Sequence, residues 1–378
     1  MKLNRLALTD RQTGKIDSLQ ALRALAFLGI FLGHASFYIE WALLSVSVFF
    51  VMSGFLMTYK YEHVELGTSL KANIEFTLKK IIKLYPLHIL TMLFAITLNA
   101  ALIFHNGIGV KSVIALIGET FLNLTLLQAW VPYSSINFSL NGVAWYLSVT
   151  MFLYFTFPWL KRIIEKESIR RLCIMCGAIL IIEILSCIPF IMVLENDSPV
   201  YIWFMYCFPL FRLGDFFIGC VLKRVYFEGD FGKLGNVKGT IQEIIATAIT
   251  VLVFLWMTIE QRSLLLLSLQ NYTTAYIPLA AIWIILFIEK RGLITKVLSN
   301  SCFIFIGSIS AYAFLIHYVV TTYTAGLLTW FELNIVGWGR ILLILLELIV
   351  SLLLSVLYKW IHEKYEYTLK KNRLFTGD

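Results

Sequence analysis

Long apolar runs separated by short polar intervals dominate the chain. They occupy 18–38, 42–59, 80–104, 143–160, 172–194, 201–222, 241–259, 272–288, 299–322 and 339–358. A helix rises about 1.5 Å per residue, so about 20 apolar residues cross the hydrocarbon core of a bilayer. The pattern predicts an all-α fold, a polytopic membrane helical bundle of about ten transmembrane helices. The stretch 111–130 has the length of a span but carries Lys111, Glu119, Asn123 and Gln128. It predicts a re-entrant or interfacial helix near 111–130, which a membrane tolerates where protein or water covers it. No interval is long enough for a soluble domain, and no repeat of fixed period is seen.

Composition supports this picture. Hydrophobic residues make up 59% of the 378 positions and charged residues only 14%, with a mean hydropathy of +0.81. A soluble domain of this size cannot hide so much apolar surface. The net charge of +8 raises nucleic acid as a partner, but the placement of the basic residues argues for lipid instead. With the N-terminus inside, the inner intervals 1–17, 60–83, 161–171, 223–238, 290–296 and 359–373 hold 26 of the 31 Lys and Arg residues. The outer intervals hold Lys111, Arg262 and Arg340, and Arg23 and Arg212 fall inside spans. This asymmetry predicts a multi-pass protein of the cytoplasmic membrane with both termini cytoplasmic. The domain map is then a cytoplasmic segment 1–17, a membrane domain 18–361 and a cytoplasmic tail 362–378. No metal site is expected: Cys173 and Cys176 have CxxC spacing, but no second pair follows at zinc spacing.

Any chemistry must come from polar groups in or near the spans. Ionisable residues there are costly, so Arg23, His34, Glu183, Arg212, Asp215, His317 and Glu347 stand out. Arg23 and His34 are eleven residues apart in LRALAFLGIFLGH. On a helix that is three turns plus about 20°, so they share one face about 16.5 Å apart along the axis. Either they form a functional face, or Arg23 snorkels to headgroups while His34 bonds a neighbouring helix. Ser47 either packs or turns its hydroxyl to a cavity; Ser53 and Gly54 suit close helix packing. Lys80 and Lys83 are spaced i, i+3 before Pro86 and His88. They are either ordinary positive-inside charge or an anion site for a phosphate-bearing cytoplasmic ligand. Arg212 and Asp215, also i, i+3, can pair within the bilayer, and Pro209 predicts a kink just before them. Glu183 and Glu347 belong to no motif.

From about Asp17 to the last span, these segments resemble the acyltransferase 3 family of bacterial membrane O-acyltransferases. The Arg-x10-His pattern is matched by Arg23 and His34, and a Ser-Gly-Phe run by Ser45 to Phe55. A basic pair before Tyr-Pro is matched by Lys80, Lys83, Tyr85 and Pro86. Trp145, Leu147, Ser148, Tyr154 and Pro158 match a Trp-x-Leu-Ser element and its sequel. Arg212, Asp215, Phe216 and Gly219 match a fifth element, and Ile309, Ser310, Tyr312 and His317 a sixth. The chain departs from the common pattern at Ser47 and Thr150, where many members carry acids, and at the lysine pair, where arginines are usual.

The resemblance implies transfer of an acyl group, usually acetyl, from cytoplasmic acyl-CoA to a hydroxyl of an extracytoplasmic carbohydrate. It assigns His34, expected to be buried and neutral, as general base or acyl acceptor, with Arg23 guiding the donor. Lys80 and Lys83 would hold the CoA phosphates. Ser47, Trp145, Tyr146, Arg212, Asp215, Tyr312 and His317 would line the passage or fix its walls. Acyl-CoA enters as co-substrate, and no permanently bound cofactor is implied. Two rivals remain at this level: an ion-coupled transporter, and a structural partner in polysaccharide export.

Overall fold

The computed structural model describes residues 16–35, 39–105, 107–194, 198–229, 236–259, 263–271 and 273–376. Lys2, Arg5, Arg11, Lys15, Lys233 and Arg262, which enter the charge asymmetry, lie outside these residues, as do 36–38 at the end of the first predicted span. Helices account for the regular structure, and there is no strand among the described residues.

The chain runs through α1 (Asp17–His34), α2 (Ile39–Lys60), α3 (Leu70–Ile81), α4 (Tyr85–His105), α5 (Val110–Leu124), α6 (Ser134–Asn137), α7 (Trp145–Lys166) and α8 (Ile169–Val193). It continues through α9 (Pro199–Ile202), α10 (Leu213–Glu228), α11 (Asn236–Met257), α12 (Leu264–Leu269), α13 (Tyr276–Glu289), α14 (Leu293–Leu298), α15 (Ser301–Trp330) and α16 (Trp338–Thr376).

Among the described residues, six helices are long and apolar enough to cross a membrane: α2, α4, α8, α11, α15 and α16. The other predicted spans map onto helical segments that fall short in length or in apolarity. Helix α1 carries Asp17, Gln20, Arg23 and His34, α7 ends in Lys161, Arg162, Glu165 and Lys166, and α13 has 14 residues. The fourth, 201–222, is broken.

That break has a local cause. Residues Trp203–Cys207 form a π-helical turn, and regular helix resumes only at Leu213. Pro209 has no N–H, so it leaves the carbonyl of Met205 without its helical donor. Thr273 Oγ1 supplies one at 2.7 Å, and Arg212 Nε donates to Tyr206 O at 2.8 Å. The expected kink is therefore an interruption, sealed by side chains from elsewhere.

A second boundary also moves. The apolar run 80–104 is the end of one helix and the whole of the next. Helix α3 is amphipathic; it buries Asn73, Thr77 and Ile81 at i, i+4 and i+8 and is capped by Ser69. It packs on α7, where Asn73 Nδ2 donates to Phe155 O at 3.0 Å. The membrane-length helix α4 starts only at Tyr85. Helix α5 buries only Asn123 and leaves Ile114, Ile117 and Phe121 exposed. Irregular backbone follows it, bracketed by positive φ at Leu126 (54°) and Leu140 (57°).

Helix α2 is apolar all round and central, as such helices are. It packs on α1, α10 and α13, while α1 lies against α15, and α15 against α16. The α2–α10 crossing is reciprocal: a methyl at Gly54 would strike the Phe216 carbonyl, and one at Gly219 the Val51 carbonyl. Small residues here let two backbones touch. Gly307 does the same for α15 against Gln20 of α1.

Candidate active site

The polar face of α1 is the spine of the site. Arg23 is part-buried, and its Nη1 donates to Gln20 Oε1 at 3.4 Å. Tyr146 and Tyr154 of α7 and Tyr312 of α15 act electrostatically on its guanidinium. The Tyr154 hydroxyl lies 3.4 Å from Ser53 Oγ of α2, and the Tyr312 ring lies 5.3 Å from that of Tyr358 of α16. A cation thus sits among phenols drawn from two other helices. None of Gln20, Ser53, Tyr146, Tyr154 or Tyr312 is fully buried.

Three turns along α1, His34 meets His317 of α15. The ring centroids are 5.2 Å apart, and His317 Nε2 is 3.4 Å from His34 Nδ1. The Tyr318 ring stands edge-on to His34 at 5.3 Å. His34 keeps part of its surface exposed while its ring packs among protein groups, whereas His317 is fully buried behind it. The rings of Phe27, Phe31 and Phe314 enclose His317 at 5.7, 6.1 and 6.0 Å. Tyr318 also packs against Gly142, and Asn141 Nδ2 donates to Leu315 O at 3.0 Å. The irregular segment after α5 therefore ends against the histidine pair.

Ser47, Trp145, Arg212 and Asp215 are all buried, in the packed wall. Arg212 Nη1 reaches Asp215 Oδ2 at 3.5 Å. Its guanidinium lies over the rings of Tyr206, Phe50 and Trp145 at 5.0, 5.4 and 5.9 Å. Such stacking suits a planar, weakly hydrated cation. Tyr146 stacks on Phe50 at 4.4 Å, linking this wall to the Arg23 cluster. Ser47 acts on Asp215 from α2.

Glu183 belongs to the same wall. It accepts from Thr274 Oγ1 at 3.2 Å, lies against Gly214, and interacts with both Asp215 and Arg212. Two buried carboxylates thus face one guanidinium. The sequence marks Glu183 as a polar intruder, but its partners lie on distant segments. Tyr318, too, carries no local signal.

Lys80 and Lys83 do not share one helix face. Lys80 is in the last turn of α3, and Lys83 lies in the turn before α4. They remain electrostatic neighbours: burial first, then Lys83, pull the Lys80 ammonium below the ordinary lysine value. Lys80 donates to the Tyr61 hydroxyl and lies over the rings of Tyr61 and Phe76 at 4.4 and 5.4 Å. Just beyond Tyr61 an open groove of about 710 Å³ runs between residues 62–68 and the end of α7, with His63, Thr68, Lys161 and Arg162 on its walls. Glu62, Glu65 and Glu165 also line it; Glu62 pairs with Lys223, and Glu165 with Lys161.

Comparison with known proteins adds the family. Residues 16–360 match the family model described as an acyltransferase domain. The chain is 27% identical over 262 residues to acyltransferase MdmB of Streptomyces mycarofaciens. That alignment covers 62% of this chain and 64% of the relative, so it spans less than two thirds of the relative's length. No solved structure matches the chain. The match to the family model over nearly the whole chain settles membership: this protein belongs to the acyltransferase 3 family.

Proposed function

We propose that the protein is a membrane O-acyltransferase that moves an acyl group, acetyl in the simplest case, from cytoplasmic acyl-CoA to a hydroxyl of an extracytoplasmic carbohydrate. The observation that carries this reading is the α1 face, with Arg23 among tyrosines at one end and an exposed His34 at the other. Family membership supports the acyl transfer, and the bias of basic residues supports cytoplasmic termini and a cytoplasmic donor.

In this reading Lys80 and Lys83 hold CoA phosphates as point charges, and Arg23 guides the thioester into the passage. His34 Nε2 takes the proton of the acceptor hydroxyl as the oxygen attacks the thioester carbonyl. A C–O bond forms and the C–S bond breaks. The proton passes from His34 to the departing CoA sulfur, leaving an ester and free CoA. Ser47, Trp145, Arg212 and Asp215 hold the wall, while Tyr146 and Tyr312 face the passage.

The test is covalent. Membrane vesicles containing the protein are given acetyl-CoA labelled in the acetyl group, and the glycan fraction is assayed for label. Label that depends on the protein and on His34 supports the reading. Glycans that stay unlabelled while the protein is abundant and folded overturn it.

A further inference from the structure

Both rings of the histidine pair are pinned by the same device. His34 Nδ1 lies 2.9 Å from the carbonyl of Ile30, and His317 Nδ1 lies 3.1 Å from that of Ala313, each four residues back on its own helix. A carbonyl only accepts, so each Nδ1 carries the hydrogen, and each neutral ring keeps its lone pair on Nε2. The consequences differ for the two rings. The Nε2 lone pair of His317 points at the Nδ1–H of His34, 3.4 Å away. The Nε2 of His34 has no partner among the described residues, and the residue keeps part of its surface exposed.

We infer that His317 is a positioning residue for the proposed transfer, accepting a second hydrogen bond from His34 Nδ1–H and stabilising the imidazolium that forms when His34 Nε2 takes the acceptor's proton. The inference rests on the reading of His34 as general base. The arrangement does the work of the acid in a Ser-His-Asp triad, with a neutral acceptor in its place. That difference suits a base that must be unprotonated at rest. A carboxylate behind Nδ1 would favour the charged ring before substrate arrives; a neutral imidazole offers its lone pair without a standing charge. Among the described residues the other rings around the pair are Tyr318, Phe27, Phe31 and Phe314, and none carries a formal charge. The 3.4 Å separation is long for a neutral contact, and hydrogen bonds from a charged donor are shorter. The pair is thus set to tighten as the proton arrives.

The experiment compares His317→Phe, which keeps a ring and loses the acceptor, with His317→Gln, which keeps an acceptor oxygen. Full-length protein in vesicles is assayed with labelled acetyl-CoA and de-acylated surface glycan. We expect His317→Phe to lower kcat by about 10- to 100-fold, the worth of a hydrogen bond to a charged group. KM for acetyl-CoA and for glycan should stay within about twofold, since the bond gains strength only in the transition state. His317→Gln should recover most of the loss. If His317→Phe does not elute like the parent protein, His317→Met, apolar and adaptable, takes its place. An unchanged kcat in the Phe or Met variant overturns the inference, as does a Gln variant as slow as Phe. Failure of the functional reading looks different: parent protein that labels no glycan, or a His34→Ala variant as active as the parent.

Discussion

Arg23 and His34 lie three turns apart on α1, and one neighbouring helix, α15, meets both, through Tyr312 and His317. The two ends of the face are built differently. Arg23 is part-buried and interacts electrostatically with three phenols, whereas His34 is exposed and backed by a buried ring. His34→Ala should therefore abolish acyl transfer, by about 10²-fold or more, the usual contribution of a positioned base. Protein abundance and thermal stability should stay near the parent's, because an exposed side chain contributes little packing. Transfer of labelled acetyl groups, read beside the level of inserted protein, checks both halves.

Lys80 and Lys83 should govern the donor alone. Replacing both with Ala should raise the KM for acetyl-CoA by about 100-fold, about tenfold for each charge-assisted hydrogen bond lost, with the glycan KM little changed. Because burial and Lys83 lower the Lys80 pKa, its ammonium loses its proton at a lower pH than an ordinary lysine. Donor binding through it should weaken as pH rises. Lys80→Arg, which stays charged, should flatten that rise. Initial rates against acetyl-CoA concentration across neutral to alkaline pH measure it.

The broken segment predicts a stability effect. Arg212 holds both Asp215 Oδ2 and Tyr206 O and is fully buried. Arg212→Leu strands a buried carboxylate and should cost about 3–5 kcal/mol. Replacing Asp215 by Leu in the same protein should recover part of that, since only one of the two buried acids, Glu183, then remains. Denaturant titration in detergent micelles, read by intrinsic tryptophan fluorescence, distinguishes the variants.

At the α2–α10 crossing, Gly219→Ala drives a methyl into the Val51 carbonyl. Backbone cannot swing aside as a side chain does, so the loss should be about 1–3 kcal/mol. Gly118→Ala, whose position is open, should have no comparable effect. Thermal unfolding midpoints of the two variants test the contrast.

Much of this was legible from local pattern. The Arg23–His34 face follows from helical period alone, because both residues lie on one uninterrupted helix. The i, i+3 pairing of Arg212 with Asp215 is equally local, and Pro209 announces a disturbance. The boundaries were less legible: α3 and α4 merge into one apolar run, because an amphipathic helix ending in Ile81 and capped by Ile82 looks like the start of a span. Contacts across long separations left no trace. His34 and His317 are 283 residues apart, and Glu183 and Thr274 are 91 apart. Apolar helices tolerate many partners, so no periodicity in either segment reveals which one it meets. The partial exposure of His34 was hidden for the same reason: an apolar run reports the average surroundings of a helix, not those of its last residue.

The seal on the interrupted helix bears on how the chain is made. The Met205 carbonyl gets its donor from Thr273, 68 residues further on. When 199–228 first leaves the ribosome, that donor has not been synthesised, so the Met205 carbonyl cannot yet have the partner it has in the folded protein. The interruption is thus completed by a segment made after it, so the order of synthesis sets the order in which this part of the fold can close.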